Sequence, residues 1–364
     1  MDYLLFLILT ICLILTCYVL GKIPEKYLEP FTSLQRQSNL DALRGLLAVF
    51  VLTHHFYITY IWKISGEWKR PESDLLNNLG AASVSLFFLV TGYLFINKVM
   101  KESFDWRKLY KSRFKRLMPM FYFTFFIVAI ITFLSLNDYP PAKKIINWVF
   151  SWLKFKGGSL AGFDSGRVIA YVNWTLLYEW AFYFSLPLIH TLIYKKVQSK
   201  WILIITSILF ISIFSTSKQS LYVLFLLSFA SIFLQDVLKR INKTRKSILN
   251  ILLPILMVVG FVFLDGYTLV QKIVLSILFA FVVNGYDFFG LLQSKGLKIL
   301  GDISYSIYLV HGVVLYVMFT VIYVYDFHNG LPWYFSYLPI VLSLVIGISL
   351  ITYNFIERPF LKNT

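Results

Sequence analysis

Apolar stretches long enough to cross a bilayer as helices, about 17 to 25 residues each, recur along the whole chain. They lie at 3–21, 43–62, 79–97, 118–136, 174–194, 201–217, 220–238, 248–265, 269–286, 303–325 and 335–356. These eleven segments predict an all-α, polytopic membrane bundle. The weakest separation is the short turn Ser217–Ser220. The longest polar connection, Asn137–Asn173, holds Trp148, Phe150, Trp152 and Phe155, a pattern suited to a helix lying in the interface, followed by a Gly-rich stretch, Gly157–Gly166, read as flexible.

Composition agrees. Hydrophobic residues make up 58% of the 364 and charged residues 14%, against about 25% charged in soluble domains. A net charge of +16 raises the question of nucleic acid, and the placement of the charges answers it. Alternate connections carry twenty-four and ten Lys and Arg; the richer side is assigned to the cytoplasm. The N-terminus is then expected outside and the C-terminus inside, with the lipid bilayer and not nucleic acid as the partner. Cys12 and Cys17 both fall in the first apolar stretch, so neither a disulfide framework nor a metal-ligand spacing is present. That first stretch lacks the basic start and small-residue cleavage pattern of a signal peptide, and is read as a retained span.

Ionisable groups inside such spans are costly and mark candidate chemistry. Arg44 and His55 are eleven residues apart; over that interval a helix turns about 1100° and rises about 16 Å, placing both side chains on one face. Arg44 sits at the cytoplasmic edge, and His55 lies roughly 10 Å from the outer end of its span. Anchoring to headgroups would explain Arg44 alone, and a core hydrogen bond would explain His55 alone; a shared face favours a common task. His54 points about 100° away. The cytoplasmic loop Lys98–Arg116 carries eight basic residues. Most suit anionic lipid, while Arg113 and Arg116 can join Arg44 in gripping phosphate, for which Arg is the bidentate ligand. Glu179 is expected about 8 Å below the outer end of its helix, near the depth of His55, where a carboxylate would orient an imidazole or bind an incoming hydroxyl. Ser304, Tyr308 and His311 form a polar stripe at helical spacing, with His311 about 12 Å from the cytoplasmic side.

Taken in order, Leu40-Asp41-Ala42-Leu43-Arg44-Gly45 through His55, Phe87 to Tyr93, Arg113 to Pro119, Trp174 to Glu179, Gly301 to His311 and Glu357-Arg358-Pro359 resemble the acyltransferase-3 family of bacterial membrane proteins. The resemblance implies an O-acyltransferase of the cytoplasmic membrane. Such a protein takes an acyl group, usually acetyl, from cytoplasmic acyl-CoA, without a metal, and places it on a carbohydrate hydroxyl outside, on a surface polysaccharide or glycolipid of the cell envelope. It also implies that Arg44 and His55 form the essential pair, that Arg113 and Arg116 match the basic motif and that Glu179 matches the buried glutamate. His311 is taken as a further donor-positioning residue, and Asp41, Tyr93, Trp174 and Tyr308 as substrate contacts. Thr91 stands where many members have Ser, and residues 1–39 form an extra span and linker ahead of a membrane acyltransferase domain at 40–364.

An imidazole titrating near pH 6.5 suits general-base catalysis, and a covalent acyl-imidazole relay is the rival route. Only five residues follow Pro359, so the acceptor is expected to be taken directly at the membrane or with help from a separate envelope protein. A transporter or polymerase for lipid-linked saccharides would share the spans and buried charges; a transporter more naturally shows two related halves with broken helices, and a polymerase a larger outer loop.

Overall fold

The computed structural model describes residues 2–23, 38–100, 104–239 and 243–361. Residues 24–37 of the expected linker and parts of the basic loops at 98–116 and 239–246 lie outside the described residues. In chain order the elements are α1 (Asp2–Lys22), α2 (Asn39–Ser65), α3 (Asp74–Val99), α4 (Trp106–Leu134) and α5 (Ala142–Leu153), then two short strands, β1 (Ser159–Leu160) and β2 (Phe163–Asp164), and a 3-10 turn (Ser165–Ile169). They continue with α6 (Trp174–Tyr194), α7 (Lys200–Phe214), α8 (Tyr222–Lys239), α9 (Lys243–Val258), α10 (Leu269–Val283), α11 (Lys295–Asp302), α12 (Ser304–Tyr316), α13 (Leu331–Phe335), α14 (Leu338–Thr352) and α15 (Arg358–Leu361). The antiparallel strands pair Ser159 with Asp164 and Leu160 with Phe163.

Among the described residues, seven helices are long and apolar enough to cross a membrane: those within 4–22, 39–65, 74–99, 106–134, 174–194, 304–321 and 331–361. Two more, α7 and the start of α8, meet at a bend of 116° across the expected weak turn, and shorter apolar helices cover Ile251–Phe263 and Leu269–Val283. Each of the eleven predicted stretches therefore falls on helix, in an all-α polytopic bundle.

Local chemistry sets the helix ends. Ser38 caps α2 in a reciprocal capping box with Asp41, and Gly66, in the left-handed region at φ 73°, closes it. The side chains of Ser73, Asp105, Ser199 and Thr268 cap α3, α4, α7 and α10 by accepting from the backbone N–H three residues on. Helix α2 crosses α11 at very short range: a Cβ on Gly45 would lie 2.4 Å from the Leu297 carbonyl oxygen, and one on Gly301 would lie 1.9 Å from that of Asp41. Only glycine admits this approach, which fixes the N-terminal end of α2. Its C-terminal half is held by aromatic packing. Phe56 stacks on Tyr334 with ring centroids 4.2 Å apart, and the Tyr334 hydroxyl donates to the Phe56 carbonyl at 3.0 Å.

The connection 137–173 contains the expected helix, and its Gly-rich stretch departs from expectation. Helix α5 buries Trp148 and Trp152 against α4, where both pack on Phe125, while Ile146 and Phe150 remain exposed. The Gly-rich stretch is pinned rather than loose. Both indoles donate to Ser165 Oγ, at 3.0 and 3.1 Å, and Asn173 donates to the Phe155 carbonyl at 2.8 Å. Gly312 of α12 lies so close to this segment that a Cβ would come within 2.3 Å of the Ile169 backbone. The outer loop is thereby fastened one residue beyond His311.

Candidate functional site

One turn inside α2, Arg44 faces a cluster of charges from its own helix and three others. Asp41 Oδ1 is 3.9 Å from its Nη1, and Arg116, Glu179 and Asp302 act on it electrostatically. Arg116 Nη1 on α4 pairs with Glu357 Oε2 at 3.3 Å; the Glu357 side chain is fully buried and that of Arg116 is 16% exposed. The other Glu357 oxygen accepts from Ser306 Oγ. Glu179 on α6 accepts from Thr91 Oγ1 at 3.2 Å and also bonds Tyr183. The charges of Arg113 and Arg44 both act on it. Arg113 packs its guanidinium 4.7 Å from the Phe95 ring, and its Nε is buried without a hydrogen-bond partner among the described residues. Three guanidinium groups are thus held close together by carboxylates that do not use all of their donors. Such a set fits a phosphate-bearing ligand.

Eleven residues up the same helix, His55 meets a second imidazole. Its Nδ1 lies 3.0 Å from His311 Nε2, and the rings stack with centroids 5.0 Å apart at 25°. His311 Nδ1 in turn lies 3.0 Å from the Ile307 carbonyl oxygen. The polar face of α12 joins the two centres. The Tyr305 hydroxyl donates to the Leu117 carbonyl beside Arg116, Tyr308 follows one turn on, and His311 completes the line. On the side away from Arg44, Trp68 stacks against His55 at 6.2 Å and 28°, and Tyr171 meets Trp68 edge-on at 5.3 Å. Arg167 pairs with Asp164 at 3.4 Å and lies 5.2 Å from the Trp62 ring. The Tyr171 hydroxyl donates to Asp164. Burial and then the bonded carboxylate push the Tyr171 phenol up to about 12, so it remains a donor at any working pH.

Continuous α2 thus carries a phosphate-type cation at one end and, about 16 Å along, an imidazole under an aromatic rim. A family model described as an acyltransferase domain matches residues 37–353. The chain belongs to the acyltransferase-3 family. Among curated relatives, it is 23% identical over 379 aligned positions to the O-acetyltransferase OatA of Staphylococcus aureus, covering 93% of this chain and 59% of that one. An uncharacterised protein of Haemophilus influenzae is 29% identical over 152 residues, 38% of this chain and 60% of its own length. The acyltransferase MdmB of Streptomyces mycarofaciens is 27% identical over 134 residues, 35% of this chain and 33% of its own. The chain spans about three fifths of the length of the first two relatives. No solved structure matches.

Within this family frame, the structure brings Arg44, Arg113, Arg116 and Glu179 into one cluster near the start of α2 and His55 and His311 into one pair further along it. The partner of the His55 ring is His311. Glu179 instead turns to Thr91, Tyr183 and the arginines, because five residues of helix carry it away from the outer rim. Asp41 is occupied as a helix cap: Ser38 N and Oγ reach its Oδ2 at 3.1 and 3.0 Å. The Tyr308 hydroxyl is within 3.0 Å of Thr175 Oγ1 and donates to the Val172 carbonyl, tying α12 to the start of α6. Tyr93 lies edge-on to Phe279 of α10, and Trp174 edge-on to Phe88 and Tyr178; these partners are aromatic packing. His54 donates from Nδ1 toward the Leu76 carbonyl at 2.8 Å, binding α2 to α3. Ser304 bonds the Gly301 carbonyl at the end of α11, three residues earlier.

Residues that sequence reasoning passed over also enter the site. Glu357, quoted only within a motif, neutralises Arg116. Trp68, Tyr171 and Arg167 form the outer rim from loops. A lone acid at the end of an apolar span was the available signal for Glu357. The rim residues had none, since polar connections with scattered aromatics are common.

Proposed function

We propose that this protein is a membrane O-acyltransferase that moves an acyl group, acetyl as the reference case, from cytoplasmic acyl-CoA to a carbohydrate hydroxyl on the outer side of the bacterial cytoplasmic membrane. The carrying observation is the placement of Arg44 and His55 on one unbroken helix, the first among guanidinium groups and the second beneath an aromatic rim. Arg44 and Arg113, with donors to spare, would hold the phosphates of the donor. Arg116, committed to Glu357, would add field more than contact. The distance along α2 suits the long arm that joins phosphates to thioester in acyl-CoA, which supplies the activated acyl carbon.

In this reading His55 accepts the proton of the attacking sugar hydroxyl as the new ester bond forms, and returns it to the sulfur as the carbon–sulfur bond breaks. Trp62, Trp68, Tyr171 and Arg167 offer ring faces and donors of the kind a pyranose needs. The N-terminus lies outside and the C-terminus inside. The acceptor is a surface polysaccharide or glycolipid presented at the membrane.

The test compares surface glycans of cells carrying the wild type with those carrying His55→Ala, by mass spectrometry before and after mild alkali. An alkali-labile mass increment present only with the wild type is expected. Its presence with both chains would remove His55 from the chemistry.

A further inference from the structure

A neutral imidazole carries one N–H and one lone pair, and the group bonded to one nitrogen decides what the other can do. The Ile307 carbonyl, 3.0 Å from His311 Nδ1, can only accept, so the proton of His311 sits on Nδ1. Its Nε2 then bears a lone pair directed at His55 Nδ1, 3.0 Å away. Two lone pairs would repel across that gap, so His55 Nδ1 supplies the hydrogen. The ionisable groups acting on this pair are imidazoles, with His54 beside His55. His311 is fully buried, and a charge placed there would be costly. Both rings are therefore neutral at rest, and His55 Nε2 is the nitrogen left bare.

We infer that His311 is a positioning residue whose Nε2 lone pair holds His55 in the Nδ1–H form and so presents His55 Nε2 as the base. The inference rests on the reading of His55 as the base. As the hydroxyl proton arrives at His55 Nε2, the ring becomes a cation whose Nδ1–H still points at His311 Nε2, and no proton crosses between the rings. His55 Nε2 then releases its proton to the departing sulfur, which restores the starting pair. A neutral imidazole here fills the place that a carboxylate fills in a Ser-His-Asp triad, and it leaves the buried centre uncharged between turnovers.

The direct test is nitrogen NMR on the full chain in micelles after labelling its five histidines with nitrogen-15, His55 being assigned by the signals lost in His55→Ala. The wild type is expected to show a bare His55 Nε2, recognised by its coupling to both ring C–H protons. A protonated His55 Nε2 would overturn the inference without reference to activity. In His311→Leu the His55 signals should move toward the opposite tautomer. With acetyl-CoA as donor and membranes bearing the native acceptor, kcat should fall about 10- to 100-fold with KM for acetyl-CoA changed less than about twofold, the usual scale for losing an outer partner of a working group. His311→Gln, whose side-chain carbonyl can accept from His55 Nδ1, should restore most of the turnover. Full turnover in His311→Leu, or no advantage of Gln over Leu, would also overturn it. Undiminished turnover in His55→Ala sinks instead the base reading on which the inference stands, a result separable from the tautomer seen by NMR.

Discussion

The Arg116–Glu357 pair gives a quantitative handle on the inner cluster. At 3.3 Å and an effective dielectric of about 20, the attraction between unit charges is about 5 kcal/mol. Desolvation opposes it, and the net value is a fraction of this. The Glu357 side chain is fully buried and Arg116 is 16% exposed, so removing either partner strands the other in a poor solvent for charge. Each of Glu357→Gln and Arg116→Gln is expected to cost about 3 kcal/mol. In Glu357→Gln the amide can still bond Ser306, so the loss is chiefly electrostatic. The double variant strands neither charge, and it should cost about 2 to 3 kcal/mol less than the sum of the singles. Equilibrium unfolding in mixed micelles of increasing denaturing detergent, followed by tryptophan fluorescence, would measure the cycle. Single costs that add to within about 0.5 kcal/mol would refute a working ion pair.

Arg44→Ala should weaken acetyl-CoA binding about 10- to 100-fold, the worth of one charge-assisted phosphate contact at 1.5 to 3 kcal/mol; isothermal titration of the detergent-purified protein would show this, and unchanged affinity would place the phosphates elsewhere. Gly301→Ala drives a Cβ into the Asp41 backbone, which cannot yield as a side chain does, so it should destabilise by at least about 1 to 3 kcal/mol and weaken donor binding together. An alanine variant with both properties intact would contradict the close crossing of α2 and α11. Tyr308→Phe removes the hydroxyl that ties α12 to Thr175 and Val172; a loss of about 1 kcal/mol in stability is expected, read by the same micellar unfolding, and no loss would argue against that tie.

The bundle and the shared face of Arg44 and His55 were legible because both follow from local periodicity: apolar length predicts a span, and eleven residues of helix return nearly to the same direction. Pairings between distant segments were not. His55 and His311 are 256 positions apart, and depth estimates placed Glu179 near His55 without saying which way its helix turned it. Asp41 was read as a substrate contact, and the sequence did not show that Ser38, three residues earlier, also takes it as a capping partner. The hydrogen bonds of the Tyr308 hydroxyl to Thr175 and Val172 join segments far apart in the chain and were equally invisible. The stretch Gly157–Gly166 looked flexible from its glycines, yet a single buried hydroxyl, Ser165, anchors it through two indoles. Trp68 could not be singled out, since only the folded loop between α2 and α3 brings it over the imidazole.

The account turns on His55 carrying acyl transfer across the membrane from a donor held inside. Inside-out membrane vesicles supplied with acetyl-CoA labelled in the acetyl group test this most directly, with alkali-labile label in the lipid- or polymer-bound carbohydrate as the readout. The wild type should transfer label to carbohydrate in the lumen, and His55→Ala should reduce it to background at equal protein level. Equal transfer by both, or label confined to molecules other than carbohydrate, would contradict the account.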